Sequence, residues 1–367
     1  MNIAILSTSN NAYSETFIQA HKKRLKGNVR YYYGSYSNLQ LENEGPILSG
    51  MRRYVAKGVE KIKNVPRYAE AKALINSWKK NKIDVILAEY GTTAAIYLDA
   101  IQASGIPLVI HFHGYDATAY KTIEEFNKEY ERMFAYASSV IVVSKVMYGK
   151  VLELGCPEHK LVKNTYGPND LFFELKPKFS KPQFIAIGRF TDKKAPYYTI
   201  LAFKKVLKLF PEAKLIMAGD GHLLNSCENL VGYFGMANSV EFVGVITPTE
   251  FCAYLEESLA FVQHSITAKS GDMEGTPLAV LESSAAGLPI ISTFHAGIPD
   301  VIIHKETGLL VKEHDVEKMT AHMVKILSDK SYAKQMGAKG RENISKNFSM
   351  KKHIDKIDEI LLKTKHS

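Results

Sequence analysis

The chain has 367 residues, 46% hydrophobic and 23% charged, with a net charge of +9. At ~150 residues per domain this length suggests two domains, and the composition suffices for two real cores. No apolar run approaches the ~20 residues of a membrane span. The three cysteines, Cys156, Cys227 and Cys252, are too few and too scattered for a zinc site or a disulfide scaffold, which fits a reducing compartment. The chain opens Met1-Asn2-Ile3-Ala4-Ile5-Leu6 without a basic n-region, so no secretory leader is expected and the reading is a cytoplasmic protein.

Short apolar runs alternate with amphipathic stretches from the start. In the first half the runs 3–6, 29–33, 85–88, 108–111 and 140–143 read as strands, and 16–25, 93–103 and 123–136 as helices between them. Such alternation predicts parallel sheets covered by helices. The loop after the first run, Ser7 to Thr16, is small and polar. It places Ser14 as an N-cap and offers Ser14, Glu15 and Thr16 either to capping or to a hydroxylated ligand.

Between Arg52 and Lys82 ten basic residues face only Glu60 and Glu70. The stretch reads as a solvated helix face or as a surface for anionic lipid head groups. Nucleic acid ranks below both, because aromatic residues are not interleaved in any module pattern.

His111-Phe112-His113-Gly114-Tyr115-Asp116 follows an apolar run. Histidines two apart on an extended segment point to opposite faces and make a poor metal pair. His111 reads as a buried histidine satisfied by backbone, and His113, beside Gly114, as a polar contact for a ligand.

Residues 171–182 carry Pro177 and Pro182 among three lysines and no periodicity, so they read as a linker. The pattern then restarts, with strand-like runs at 184–187, 214–218, 240–243, 260–262 and 289–292 and helices at 196–209, 277–286 and 315–328. The expected domains are therefore 1–170 and 183–349. In open α/β sheets ligands bind beyond the carboxyl ends of strands, so both domains can aim loops into a shared cleft.

Two motifs of the second half carry chemistry. Gly188-Arg189 and Lys194 follow a strand, where an arginine fork and a lysine point charge could neutralise a diphosphate. Glu274-Gly275-Thr276-Pro277-Leu278 leads into a helix that contains Glu282. Free amides at such a helix start attract anions, and carboxylates accept sugar or ribose hydroxyls. Read singly, each motif is also compatible with a basic surface loop or an acidic first turn. Gly219-Asp220-Gly221 lacks the third glycine of a dinucleotide fingerprint, with Leu224 in its place. A basic amphipathic helix at 350–365, with Ile354, Ile357 and Leu361 on one stripe, needs a burial site.

Taken together, these residues resemble glycosyltransferase family 4, the retaining enzymes of GT-B fold. The segment from Gly271 to Glu282 resembles that family's Glu-x7-Glu signature, Gly188-Arg189 with Lys194 its diphosphate loop, and His113-Gly114-Tyr115-Asp116 its sugar-contacting loop. Val143-Ser144-Lys145 and Gly308-Leu309-Leu310-Val311 match further landmarks. Tyr13-Ser14-Glu15-Thr16-Phe17 is similar to a bacterial subgroup that builds exopolysaccharide or O-antigen units. The resemblance implies an α/β protein of two doubly wound parallel-sheet domains facing each other across a cleft, with helix 350–367 crossing back to the first domain.

The resemblance also implies roles. His113, Arg189, Lys194 and Glu274 would act at the reacting sugar and departing diphosphate. Glu282 would hold the ribose, while Gly188, Gly275, Thr276, Pro277 and Leu278 would line phosphate or sugar. Gly114 and Asp116 would complete the histidine loop, and Ser14, Glu15 and Thr16 would replace the glycine pair of many members. Ala195 stands where the family usually has glycine. The implied partners are a UDP- or GDP-sugar donor and a glycan or lipid-linked saccharide acceptor, with no cofactor and no metal. A nucleotide-sugar epimerase, a non-catalytic scaffold and a nicotinamide oxidoreductase are the competing readings.

Overall fold

The structure is a computed structural model that describes residues 1–10, 15–49 and 67–366. It divides into two compact units, Met1–Asn164 with Ile354–Ser367, and Thr165–His353.

The first unit is built on an eight-stranded sheet in the order β4-β3-β2-β1-β5-β6-β7-β8. Its strands are β1 (Asn2–Ser7), β2 (Asn28–Tyr33), β3 (Gln40–Leu41), β4 (Gly45–Pro46), β5 (Val85–Glu89), β6 (Leu108–Phe112), β7 (Ser139–Val142) and β8 (Leu161–Lys163). The central strands β5 and β6 are buried throughout, which is why they read as unbroken apolar runs. The sheet is not purely parallel: β3 pairs antiparallel with β2 and β4 with β3. These two-residue strands sit at an edge, where pairing needs no crossover helix. Trp78, in the helix Tyr68–Lys80, is fully buried.

The second unit has a six-stranded parallel sheet in the order β11-β10-β9-β12-β13-β14. Here the strands are β9 (Gln183–Ile187), β10 (Lys214–Ala218), β11 (Val240–Gly244), β12 (Ala260–Val262), β13 (Ile290–Thr293) and β14 (Gly308–Val311). Helix starts are chemically marked. Thr247 and Glu250 form a capping box before Pro248–Glu257, and Asp315 accepts from the Lys318 amide to cap Val316–Ser328.

In each sheet the strand order reverses once. The reversal lies between β1 and β5 in the first and between β9 and β12 in the second. At such a point the loops leaving the two strands diverge and open a crevice at their carboxyl ends. Glu15, Thr16, Gly188, Arg189, Lys194 and Glu274 follow strands at these points, whereas His113, Gly114 and Asp116 follow β6, one strand further on.

The expected linker 171–182 is structured. Asp170–Glu174 is a 3-10 turn, the Lys178 amide donates to the Glu256 carbonyl, and the Arg341 guanidinium donates to the Leu175 carbonyl. This segment belongs to the second unit because its backbone is tied there. The last helix, Met350–His366, buries Ile354, Ile357 and Leu361, and from Ile354 onward it is part of the first unit. Asp358 accepts from the Lys26 amide at 2.9 Å, which fixes it there. The residues 52–66 of the basic stretch lie outside the described residues. Of the remainder, Arg67 lies over the Tyr36 ring and Lys80 pairs with Glu44 at 3.2 Å.

Candidate active site

In the second unit, the loop after β9 brings Gly188, Arg189 and Lys194 to the reversal point. They line a small cavity of about 30 Å³ together with Gln263, which follows β12. Arg189 is exposed. Lys194 is partly buried, with Nζ 3.2 Å from Glu274 Oε1 and 3.3 Å from Gln263 Oε1. Burial lowers the Lys194 pKa, against the pull of Glu274. Burial alone would raise Glu274, but the ammonium groups of Lys194 and Lys193 hold it below the usual carboxylate range. The neighbouring Lys193 is turned away to Asp272 and the Met273 carbonyl, at 2.9 and 3.2 Å. One lysine of the pair thus braces the 272–273 loop while the other meets the catalytic candidate.

The 188–194 loop needs unusual backbone. Ala195 has φ 37 and ψ 52, a left-handed conformation that costs a residue with a Cβ roughly 1 kcal/mol. That accounts for the family's glycine at this place. Gly219 and Gly221 serve the same loop. A Cβ on Gly219 would lie 2.1 Å from the Gly188 carbonyl oxygen, and one on Gly221 2.5 Å from that of Phe190. The Gly-Asp-Gly sequence therefore lets two strand-end loops touch.

The helix after Glu274 spans Leu278–Ala285, with extended Pro277 at its N-cap, so it opens one residue later than expected. Pro277 has no amide hydrogen to offer an anion. Gly275, Thr276 and Pro277 are buried, and Leu278 is half-buried. The Glu274 amide donates to His295 Nε2 at 3.2 Å, and the Gly275 carbonyl accepts from the Gly297 amide at 3.0 Å. Glu282 sits inside the helix, where burial pushes its pKa up to about 7.

In the first unit, Glu89 at the end of β5 is a fully buried carboxylate beside three imidazoles. His21 Nδ1 lies 2.6 Å from Oε1, and His113 Nε2 and His111 Nδ1 lie 2.9 and 3.5 Å from Oε2. The two histidines expected on opposite faces have rings 4.3 Å apart, because β6 ends at Phe112 and the chain bends at Gly114 (φ 151). Burial keeps both neutral, lowering the pKa of His111 and that of His113 to about 3. Glu89 itself is held well below the usual range: burial would raise it, and the histidines overcome that. His21, Glu89 and His111 offer donor atoms within 4.8 Å of one another, enough in number for a metal ion. The 2.6 and 2.9 Å contacts of the carboxylate are hydrogen-bond lengths.

Asp116 is occupied by backbone partners. It is fully buried, and its carboxylate accepts from the amides of Gly91, His113 and Gly114 at 2.9, 3.0 and 2.9 Å. It holds the histidine loop in shape. Glu15, not Ser14, occupies the N-cap of the helix Thr16–Arg24, and Ser14 lies outside the described residues. The Glu15 carboxylate accepts from Ser9 Oγ and from Tyr90 Oη, tying the loops after β1 and β5 together at the reversal point. Thr16 is exposed.

Several neighbours escaped the motif reading: His21, Glu89, Gln263, His295 and Glu313. Glu89 carried a signal, as a lone charge closing the apolar run Val85-Ile86-Leu87-Ala88. A larger cavity of about 670 Å³, between segment 173–179 and the helix Lys330–Asn347, contains none of the candidate residues.

A doubly wound sheet carries here an exposed arginine, a lysine–glutamate pair and a helix-borne glutamate at its reversal point, where such sheets form ligand crevices. A family model described as "Glycosyl transferases group 1" matches residues 169–343, and one described as "Glycosyltransferase Family 4" matches residues 21–162. The chain belongs to this family and is a glycosyltransferase of GT-B fold. It is similar to the amylovoran biosynthesis glycosyltransferase AmsK of Erwinia amylovora, 27% identical over 286 residues that cover 76% of this chain and 70% of AmsK. It is also similar to the putative colanic acid biosynthesis glycosyltransferase WcaL of Salmonella typhimurium, 25% identical over 273 residues, 72% of this chain and 67% of WcaL. Anabaena Alr3699/HepE, solved in complex with UDP, matches with a TM-score of 0.78 at 15% identity, covering 99% of this chain and 100% of that one. Among the described residues, no helix is long and apolar enough to cross a membrane.

Proposed function

We propose that this glycosyltransferase moves a hexose from a UDP- or GDP-sugar to a glycan or lipid-linked saccharide, with retention of configuration and without a metal, in bacterial surface polysaccharide synthesis. The Lys194–Glu274 pair carries the reading: a cation and a carboxylate meet 3.2 Å apart on two loops of one strand-order reversal. The amylovoran and colanic acid names of the relatives support a polysaccharide product, and the UDP of the HepE complex supports a nucleoside diphosphate.

The chemistry follows from charge. As the anomeric C–O bond breaks, the sugar gains oxocarbenium character and the nucleoside diphosphate gains negative charge. Arg189 and Lys194 stabilise that charge, and the helix beginning at Leu278 adds its dipole. Diphosphate replaces Glu274 as the partner of Lys194, which frees the Glu274 carboxylate to accept hydrogen bonds from donor-sugar hydroxyls. Glu282 holds the ribose, and His113, kept neutral, contacts the sugar. The acceptor oxygen attacks the face that the leaving group vacates and passes its proton to the departing phosphate. No enzymic nucleophile takes part. Any role for an anionic membrane surface rests on the basic stretch that begins at Arg52.

A thermal-shift screen against UDP, GDP, ADP and their sugars, with and without EDTA, tests the reading together with a transfer assay on a lipid-linked saccharide. A rise with one nucleotide that EDTA leaves unchanged, plus transfer, is the expected result. Binding without transfer to any acceptor would favour an epimerase or a scaffold.

A further inference from the structure

Behind Glu274 stands a pair of side chains that the donor chemistry above does not use. His295 follows β13 and is fully buried. Its Nε2 accepts from the Glu274 amide at 3.2 Å, and its Nδ1 lies 2.6 Å from Glu313 Oε1, just beyond β14. An imidazole that accepts at Nε2 must carry its proton on Nδ1, and the Glu313 carboxylate fixes that tautomer. Glu313 is itself tied to the loop after β12, accepting from the Thr267 amide at 2.9 Å. Two residues on, the Gly297 amide donates to the Gly275 carbonyl at 3.0 Å. The 295–297 loop therefore grips both the N–H of Glu274 and the C=O of the next residue.

This unit uses the same device elsewhere. His264 Nε2 accepts from the His314 amide at 2.9 Å, and His304 Nδ1 accepts from the Leu310 amide at 2.9 Å. Those two receive amides of His314 and Leu310, residues with no assigned contact to the donor. His295 differs because the amide it receives belongs to the residue whose carboxylate meets Lys194.

We infer that His295, oriented by Glu313, is a positioning residue that sets the backbone of Glu274 and so the aim of its carboxylate at the donor sugar. The inference rests on the reading of Glu274 as a donor contact. A displaced carboxylate weakens transition-state contacts more than nucleotide binding, since ribose and diphosphate are held by Glu282, Arg189 and Lys194.

The test compares His295→Leu, of similar size but without an acceptor, with His295→Gln, whose Oε1 can take the Glu274 amide. Amide hydrogen exchange of the 268–278 segment, UDP or GDP affinity and steady-state transfer are measured for each. His295→Leu should speed exchange at Glu274 and lower kcat at least tenfold, with nucleotide affinity within about threefold of the parent. His295→Gln should stay within about threefold on all three. Glu313→Gln, a milder change, should fall between them and covers the case in which His295→Leu fails to fold. Unchanged exchange at Glu274 in His295→Leu, or equal losses in the Leu and Gln variants, would overturn the inference. Absence of nucleotide binding and transfer in the parent protein would instead sink the proposed function, while the exchange comparison would still decide whether His295 holds Glu274.

Discussion

Lys194 Nζ and Glu274 Oε1 lie 3.2 Å apart in the described structure, each the other's counter-ion. In the proposed reaction the pair exchanges partners: phosphate would take the ammonium and the carboxylate would turn to the sugar. Removing the lysine leaves a buried carboxylate uncompensated and a leaving group unstabilised. Lys194→Ala should lower kcat by roughly 10²–10³-fold. Arg189→Ala should likewise lower turnover more than nucleotide binding, by a smaller factor because Arg189 is exposed. Steady-state kinetics with parallel calorimetry of nucleotide binding separates turnover from affinity, and a loss of affinity in Arg189→Ala equal to that of Glu282→Ala, the ribose contact, would contradict the assigned roles.

Glu282 makes a pH prediction with a definite sign. Burial raises its pKa to about 7 in the folded chain, against ~4.3 when unfolded. Its protonated form therefore favours the fold at low pH, and that contribution is lost as pH rises through about 7. Glu282→Gln removes the ionisation, so its stability should exceed the parent's by roughly 3–4 kcal/mol at pH 8 and by only about 1 kcal/mol at pH 5, with melting temperatures in the same order. Ribose binding needs the ionised form, so the parent should bind UDP or GDP about tenfold more tightly at pH 8 than at pH 6 beyond the trend of the Gln variant. A scan of melting temperature and nucleotide affinity from pH 5 to 8 reads both, and parallel curves for the two proteins would reject the assignment.

The parts of this site that could be read beforehand are those whose residues lie close in sequence. Gly188, Arg189 and Lys194 sit on one loop, and Glu274 and Glu282 flank one helix start, so spacing and family resemblance together brought them forward. The apolar runs 214–218 and 260–262 coincide with β10 and β12 for a related reason: a strand buried on both faces shows its bounds in hydropathy. The Glu89–His21 contact joins residues 68 apart, and no local pattern reports such a pairing. Likewise His295 and Glu313 come from loops after different strands and meet only because β13 and β14 are neighbours. The helix Lys330–Asn347 was missed for another reason. Gly337 and Gly340 weaken its helical signal, yet a Cβ on Gly337 would lie 1.9 Å from the Gly287 carbonyl oxygen, so close packing required the glycine. The antiparallel β3 and β4 are two residues each, too short to carry a period.

Glu89 ties together the helix Thr16–Arg24, β5 and the histidine loop through one carboxylate. Truncating it leaves three imidazoles in the core without their shared acceptor. Glu89→Ala should cost about 2–4 kcal/mol of unfolding free energy. It should also lower turnover, since His113 loses the partner that orients its ring. Urea denaturation gives the first effect and kinetics of the folded fraction the second. A loss under 1 kcal/mol would mean that the cluster is satisfied without the carboxylate.

The contact of the loops after β9 and β10 yields a pair of opposed predictions. At Gly219 (φ 130) an added Cβ would sit 2.1 Å from the Gly188 carbonyl oxygen, a backbone atom that cannot swing aside. Gly219→Ala must therefore push the 188–194 loop away, which costs about 2–4 kcal/mol and displaces Arg189 from the diphosphate. Ala195 is the converse case: its φ of 37 is a conformation glycine adopts freely. Ala195→Gly relieves the strain while adding freedom to the unfolded chain, so the net gain should be small, about 0.5 kcal/mol. Chemical denaturation of the two variants measures both shifts. Should Gly219→Ala keep full stability and turnover, the close approach of these loops would not be what positions Arg189, and Lys194 alone would order the 188–194 loop.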